Sequence, residues 1–453
     1  MPFEIKKFSD VCKITGGFAF KSKDYKKSGI PIIRISNIKD NGIVIDEKTV
    51  YCSDKEYQNC KEYEIENGAV LIALSGATTG KFGKYKLKQK GLLNQRVAKL
   101  LSVDKNSSLD FYYYYLHLLK DKILKDAYGM AQPNISIKEL NDFDVPVPPL
   151  PTQQKIVDKI ESLFSKIDSG NTSLQKAKAL LEQYRQSVLK SAFEGKLTAQ
   201  WREEYKGELE PASELLERIR EERKKKLGKK YKELPPVDTS ELPELPEGWC
   251  WCRLGELIET IQAGKSFRCE ERPPKKKEVG VVKVSSVTWG EFDEEESKTC
   301  TDSAKINNDY FINGGDFLFS RANTIELVGA CVITKKVNLS LMLSDKILRI
   351  IYSKKINFWY ALYYLRSWLG RKEIESLATG NQNSMRNIGQ DRIRSIRIPI
   401  PSTSEQNEIV GLVEKFLLKK SLVENEIERR TKSIISLKQS VLKSAFEGKL
   451  IEN

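Results

Sequence analysis

Two long stretches of the chain place apolar residues at alternating intervals of three and four. In the first, one row runs through Ile160, Ile167, Leu174, Leu181 and Val188, and the other through Ile156, Leu163, Gly170, Ala177, Tyr184 and Ser191. In the second, Val413, Lys420, Ile427, Ile434 and Val441 form one row, and Ile409, Phe416, Val423, Arg430, Leu437 and Ser444 the other. Such spacing held for about five heptads predicts two helices packed on each other along their length. A run of roughly 40 residues rising about 1.5 Å each makes a rod of roughly 60 Å. Lys420, Arg430 and Gly170 break the apolar rows and mark looser packing. The alternative is an ordinary amphipathic helix buried on a domain.

The two stretches are copies. QSVLKSAFEGKL at 186–197 returns unchanged at 439–450, and the offset of 253 persists upstream: Ile156 and Val157 match Ile409 and Val410, Gln153 matches Gln406, and Asn134 matches Asn387. A register without gaps over this length implies duplication of one unit. Each copy begins at a proline-bounded strand exit, PVPPLPTQQ or PIPSTSEQ, where proline followed by Ser or Thr signals a helix start.

Ahead of each helical stretch the pattern changes to short β-rich runs broken by turn residues, then a helix, then a last strand. ITGG at 14–17 corresponds to IQAG at 261–264, IIRISNI at 32–38 to VVKVSSV at 281–287, NGAVLIAL at 67–74 to NGGDFLFS at 313–320, and NQRVAKL at 94–100 to SDKILRI at 344–350. FYYYYL at 111–116 corresponds to FWYALYYL at 358–365. The expected organisation is an α+β domain over 1–150, a spacer helix over 151–200, a charged helical linker over 201–248, a second α+β domain over 249–400 and a second spacer helix over 401–453. The fold class is α+β: two tandem α+β domains separated by a long antiparallel two-helix coiled coil, in a pseudo-two-fold, circular repeat. The linker's KKK run is balanced by glutamates and reads as a solvated helix and linker rather than a nucleic-acid contact.

Composition narrows the function. The 453 residues carry a net charge of +14, and residues 1–151 and 249–400 each hold 24 basic against 18 acidic side chains. Two regions of equal positive excess suit two equivalent polyanion-binding bodies. No run of 18 apolar residues occurs and MPFEIKKFSDV lacks a signal-peptide core, so a cytoplasmic location without membrane contact is expected. Eight cysteines without a CxxC pair and a single histidine, His117, argue for reduced thiols and against a metal site. His117 lies in FYYYYLHLLK, a helix packing one face inward. GATTGK at 76–81 is one residue short of a P-loop and is followed by Phe82 where Ser or Thr would bind magnesium. No HExxH, GxSxG or glycine-rich cofactor loop is present, so the chain reads as a binding and assembly subunit without a catalytic residue.

Together the PVPPLPTQQ and PIPSTSEQ helix starts, the two QSVLKSAFEGKL exits and the LPEGWCWCRLGEL approach to the second domain make the chain resemble the specificity subunit of type I restriction-modification enzymes, over essentially its whole length. The resemblance implies two target-recognition domains that bind double-stranded DNA at a bipartite target with an unread spacer, and a helix pair acting as the spacing element. It also implies two docked modification subunits that methylate adenine at N6, and restriction (motor-nuclease) subunits. S-adenosylmethionine would then belong to the modification subunits, ATP and Mg to the restriction subunits, and no cofactor to this chain, a prokaryotic cytoplasmic protein.

DNA-contact candidates lie on turns of the shared scaffold, where binding residues are usually carried. Arg and Lys reach guanine or phosphate, and Asn and Gln pair two-pronged with adenine. In the first domain these are Arg34, Ser36, Asn37, Lys39, Ser75, Thr78, Thr79, Lys81, Gln132 and Asn134. In the second they are Lys283, Ser285, Ser286, Ser320, Arg321, Asn323, Asn381, Gln382, Asn383 and Arg386. The competing readings are a coiled-coil scaffold joining two protein-binding domains without DNA contact, and a self-sufficient methyltransferase or nuclease.

Overall fold

A computed structural model describes residues 3–39, 42–76, 79–103, 105–127, 134–382 and 385–450. The chain divides into two compact units, Met1–Lys176 with Glu426–Asn453, and Ala177–Asn425. Both long helices form, Leu150–Phe193 and Thr403–Phe446, and each contributes residues to both units.

In the first unit an antiparallel sheet runs in the order Cys12–Gly16, Val97–Ser102, Val70–Ala73, Phe82–Lys84. A second sheet pairs Ile30–Ile33 in parallel with Gly91–Leu93, flanked by Val50–Cys52 and Glu64–Ile65. The second unit repeats this plan. Ile258–Ala263, Ile347–Tyr352, Phe317–Ser320 and Cys331–Ile333 form the antiparallel sheet, and Val279–Val282 pairs in parallel with Ser340–Met342. The repeated glycines have one cause. A Cβ on Gly17 would strike the Leu93 carbonyl, and a Cβ on Gly264 the Leu343 carbonyl, so only glycine admits the crossing.

The unchanged dodecapeptide is a plug. In the first unit Leu442, Ala445 and Phe446 are buried in the core with Phe111, Tyr112, Leu116, Ile156 and Ile160. In the second unit Leu189, Ala192 and Phe193 are buried with Tyr360, Tyr364, Ile409 and Val413. The Phe446 ring meets Phe111 and Tyr115 at 5.0 and 5.1 Å, edge-on, and Phe193 meets Tyr360 and Tyr364 at 5.2 and 5.3 Å. Phe111 therefore corresponds to Tyr360 and Tyr115 to Tyr364, which sets FYYYYL against YALYYL within FWYALYYL. Gly195 and Gly448, both at positive φ, then end the helices. The Lys196 N–H donates to the Ser191 carbonyl and the Lys449 N–H to the Ser444 carbonyl, the Schellman pattern that glycine allows.

The two long helices are antiparallel where they meet. Asp168 pairs with Lys438 at 2.6 Å in the first unit, and Glu182 with Lys420 at 3.4 Å in the second. Of the expected seam, Ile156, Ile160, Ile409, Val413 and Ile427 are buried, and Leu163, Ile167, Leu174, Leu181, Val188, Phe416, Ile434 and Val441 are half-buried. The second row holds at Ile156, Leu163, Ala177, Ile409 and Phe416 and is displaced by one residue at other positions. Gly170, Val423, Arg430 and Leu437 face outward, Tyr184 is largely exposed but packs its ring edge-on against Phe416 at 5.1 Å, and Phe164, Asn171, Arg185, Leu417, Glu424, Thr431 and Lys438 take the inner position. Much of that inner row is polar, so an apolar search settles on the neighbouring line instead. Lys438 shows how a cation fits there: its ammonium also lies 5.1 Å from the centre of the Phe164 ring.

The charged tract after the first long helix is not free in solvent. Within the helix Ala212–Leu227, Ala212, Leu215, Leu216 and Ile219 are buried in the second unit's core beside Trp249, Leu254 and Leu257. Their spacing of 0, 3, 4 and 7 is an amphipathic signal that the surrounding Glu, Arg and Lys obscured. Arg220 pairs with Glu256 at 2.8 Å and Lys226 with Glu259 at 2.6 Å, which fixes the polar side. His117 packs among rings, 4.7 Å from Phe82 and 5.1 Å from Tyr113. No described helix is long and apolar enough to cross a membrane, and no described cluster of His, Cys, Asp and Glu could hold a metal ion.

Candidate nucleic-acid interface

Each unit carries the same junction of three turns. In the first unit Ser75 forms an antiparallel bridge with Asn134, the Ile135 N–H donates to the Leu74 carbonyl at 2.9 Å, and the Leu74 N–H donates to the Arg96 carbonyl at 2.9 Å. In the second unit Ala322–Asn323 pairs with Met385–Asn387, the Ile388 N–H donates to the Arg321 carbonyl at 2.9 Å, and the Arg321 N–H donates to the Lys346 carbonyl at 2.9 Å. Segments chosen separately in sequence, around Ser75 and Asn134 and around Arg321 and Arg386, are thus neighbours. The third partner was missed in both units. Exposed Arg96 and exposed Lys346 occupy equivalent positions, and the match of NQRVAKL to SDKILRI already aligned them.

A second pair of turns is also equivalent. Arg34 and Ser36 correspond to Lys283 and Ser285, each in a short 3-10 turn after a core strand, Ile35–Asn37 and Val284–Ser286. Ser36, Lys39 and Ser285 are exposed, and Arg34 and Lys283 are half-buried. Arg34 donates to the Lys48 carbonyl at 3.1 Å and lies over the Tyr25 ring, which leaves its guanidinium held but reachable. Lys39 lies 3.8 Å from Asp46, Lys283 lies 4.0 Å from Glu296, and the Ser285 hydroxyl also donates to Glu296.

Four candidates are buried, three of them tied into their turns by hydrogen bonds and the fourth, Ser320, with a hydroxyl that has no partner among the described residues. Asn37 is buried; its Oδ1 accepts from the Arg34 N–H and its Nδ2 donates to the Val44 carbonyl and Thr49. Ser286, its counterpart, is buried and donates to the Lys283 carbonyl at 2.7 Å. Thr79 is buried and donates to the Gly76 carbonyl, and Ser320 is buried within its strand. A polar side chain enclosed in this way reaches a base edge only if the turn around it opens. A turn-former and a contact residue look alike in sequence, because Asn and Ser serve both roles.

Ser75, Lys81, Arg321 and Asn323 are half-buried and Asn134 is exposed. Arg321 Nε donates to Asn387 Oδ1 at 3.4 Å, and Asn323 Oδ1 accepts from the Thr324 N–H at 2.9 Å. Asn381 and Gln382 lie in the strand Thr379–Gln382, which pairs with Met385–Asn387, and Arg386 is half-buried on the latter. Thr78, Gln132 and Asn383 lie outside the described residues, as do the side chains of Asn381 and Gln382. GATTGK leads into the strand Phe82–Lys84, not into the helix N-terminus a phosphate loop requires.

In the second unit Lys283, Ser285, Asn323 and Lys346 share the lining of a cleft of about 710 Å³. Ser344, buried in the same wall, has a hydroxyl with no hydrogen-bond partner among the described residues. A polar cleft with the half-buried Lys283 and the exposed Lys346, beside the three-stranded sheet of Ala322–Asn323, Met385–Asn387 and Thr379–Gln382, can offer charge to a phosphate backbone and edges to bases.

A family model described as the type I restriction modification DNA specificity domain matches residues 2–179 and 246–430. The specificity subunit of the Escherichia coli type I restriction enzyme EcoEI is 33% identical over 58% of this chain, and the chain spans 45% of that relative's length. The EcoKI specificity subunit of E. coli K12 is 24% identical over 98% of this chain and 88% of its own. Two solved structures share the fold. A chain from a study of complex assembly and conformational transition in a type I R-M system aligns with TM-score 0.66 at 16% identity, covering 99% of both chains. The HsdS subunit from Thermoanaerobacter tengcongensis aligns with TM-score 0.56 at 17% identity, covering 99% of this chain and 97% of its own. With both halves matched and the same three-turn junction in each, the chain belongs to the type I restriction-modification DNA specificity family.

Proposed function

We propose that the chain is the DNA-specificity subunit of a type I restriction-modification enzyme and that each α+β domain reads one half of a bipartite target in double-stranded DNA. The observation that carries this reading is the repeated junction: two units with the same backbone scaffold present equivalent basic positions, Arg96 and Lys346, with different side chains around them. A common scaffold with divergent turns is suited to reading two different short sequences. The unread spacer between half-sites is set by the paired long helices.

The chain supplies recognition and assembly, not catalysis. Two modification subunits carrying S-adenosylmethionine methylate adenine at N6, and restriction subunits using ATP and Mg join them, in the prokaryotic cytoplasm. This chain holds none of those cofactors.

Binding to duplex DNA at increasing salt tests the reading. Phosphate contacts release counterions, so affinity falls steeply and linearly on logarithmic axes. Absence of any salt-dependent DNA shift, alone or with modification subunits, favours a scaffold that joins protein-binding domains.

A further inference from the structure

Residues 269–271 run along the edge of the strand Ser297–Cys300 opposite to its partner Val279–Val282. Glu270 and Thr299 form an antiparallel bridge, and each N–H donates to the other's carbonyl at 3.0 Å. A pair that exchanges both bonds is flanked by non-hydrogen-bonded pairs, whose Cα atoms approach to about 4.5 Å. On one side of the bridge the chain bends at Glu271, whose side chain pairs with Lys298 across the two segments. On the other side the flanking pair is Cys269 and Cys300. Both thiols are free and half-buried, whereas Cys12, Cys52, Cys60, Cys252 and Cys331 are buried. The Cys300 thiol donates to the Asp302 carbonyl at 3.3 Å. Burial, and then the neighbouring Cys300, push the Cys269 thiol above its ordinary range, which slows its reaction at neutral pH without preventing it.

We propose that Cys269 and Cys300 are a reversible modification site, a cross-strand dithiol that a small-molecule disulfide such as glutathione disulfide converts to an intramolecular disulfide. The spacing of such a pair lies within the Cα range of disulfides, about 4.4–6.8 Å. One cysteine thiolate attacks a sulfur of the oxidant, breaking its S–S bond and releasing one glutathione thiolate. The second cysteine, losing its proton, attacks the protein sulfur of the mixed disulfide and displaces the other glutathione. Two protein thiols are oxidised by two electrons, and one disulfide is reduced to two thiols. Cysteine disulfides in reducing compartments are transient and regulatory rather than structural.

The place of the pair gives the modification a consequence. Cys269 lines the same cleft as Lys283, Ser285, Asn323 and Lys346. A disulfide there ties one lip of the cleft to the core sheet. This consequence rests on the proposed DNA-reading role; formation of the disulfide does not.

The test treats the full chain with glutathione disulfide, alkylates the remaining thiols, digests and sequences the peptides by mass spectrometry. The expected product is one linked peptide pair joining Cys269 to Cys300, reversed by dithiothreitol, while Cys269→Ser and Cys300→Ser each keep a single glutathione adduct on the remaining cysteine. Wild-type chain in which both cysteines stay thiols, or carry separate adducts, overturns the proposal. Binding of the reduced and oxidised chains to methylated-motif DNA reads the consequence: oxidation weakens wild type about tenfold, equivalent to one contact of about 1.4 kcal/mol, and leaves the C269S/C300S double variant unchanged. A linked chain that binds as tightly as the reduced one removes the coupling. A reduced chain that fails to bind DNA counts against the DNA reading alone.

Discussion

Gln153 and Gln406, 253 positions apart, share two equivalent hydrogen bonds in the two units. Each is fully buried; Gln153 Nε2 donates to the Pro148 carbonyl at 2.8 Å and Gln406 Nε2 to the Pro401 carbonyl at 3.1 Å. Each Oε1 accepts from the N–H at the start of the aromatic helix, Ser108 at 2.8 Å and Asn357 at 3.0 Å. One side chain thus joins the last strand of the domain, its aromatic helix and the root of a long helix. Gln153→Ala and Gln406→Ala each leave a buried donor and acceptor unpaired, a cost of about 2 kcal/mol. Urea unfolding of each variant checks this, and equal midpoints for variant and wild type would contradict it.

Glu405 is the corresponding lock on the segment that leads into the second domain. Its side chain is 2% exposed and accepts from Thr198 at 2.7 Å, Arg202 at 3.0 Å and the Trp249 indole at 2.9 Å. Glu405→Gln removes the charge opposite a mostly enclosed guanidinium, and breaking such a pair costs about 3 kcal/mol. Limited proteolysis within 198–249 should be faster in the variant than in wild type.

Lys420 in the helix seam is 11% exposed and pairs with Glu182 at 3.4 Å and Glu424 at 2.8 Å. An enclosed ion cluster competes poorly with a well-packed hydrophobe once desolvation is counted. Lys420→Met should leave stability unchanged or raise it by about 1 kcal/mol, whereas Ile427→Ala, which empties a buried seam position, should lower it by about 3 kcal/mol. Thermal unfolding of both variants reads the two signs.

Two half-buried carboxylates tie stability to pH. The Arg272 guanidinium and then the Lys275 N–H hold Glu278 at about 2, and Arg429 and Arg430 hold Glu426 at about 2, both below the ordinary 4.5. A depressed carboxylate stabilises the fold fully above its unfolded value, and that contribution is lost as pH falls from about 4.5 toward 2. Glu278→Gln and Glu426→Gln should therefore flatten the fall in unfolding midpoint over this window and leave its slope above pH 6 unchanged.

The duplicated plan was legible because its carriers are strict in sequence. The plug residues Leu189, Ala192 and Phe193 recur as Leu442, Ala445 and Phe446, and each set fills a buried aromatic site that tolerates little change. The first seam row was legible for the same reason. The second was legible only in part, because Asn171, Arg185, Glu424, Thr431 and Lys438 occupy its displaced positions and hydrophobicity carries no trace of them. In the candidate interface, Asn37 and Ser286 could not be told from contact residues, since their burial depends on the turn closing around them. Arg96 and Lys346 were both overlooked although their segments align, because each sits just ahead of a core strand and joins the junction only through its carbonyl, which accepts from the Leu74 or Arg321 N–H.

Basic side chains at the junction should act through phosphate. Arg96→Ala and Lys346→Ala each remove one exposed cation, and each should lower the slope of log affinity against log salt by about 1. Asn134→Ala and Asn323→Ala, if they meet base edges, should instead relax sequence preference within one half-site, a discrimination of about 1–3 kcal/mol. Titrations on specific and random duplexes separate the two classes.

The most direct measurement is adenine-methylation profiling of host DNA with the wild-type chain, with Asn134→Ala, with Asn323→Ala and without the gene. The account predicts a split motif with a fixed gap that disappears with the gene, one half blurred by the first variant and the other half by the second. A single continuous motif, or both variants acting on the same half, would contradict it.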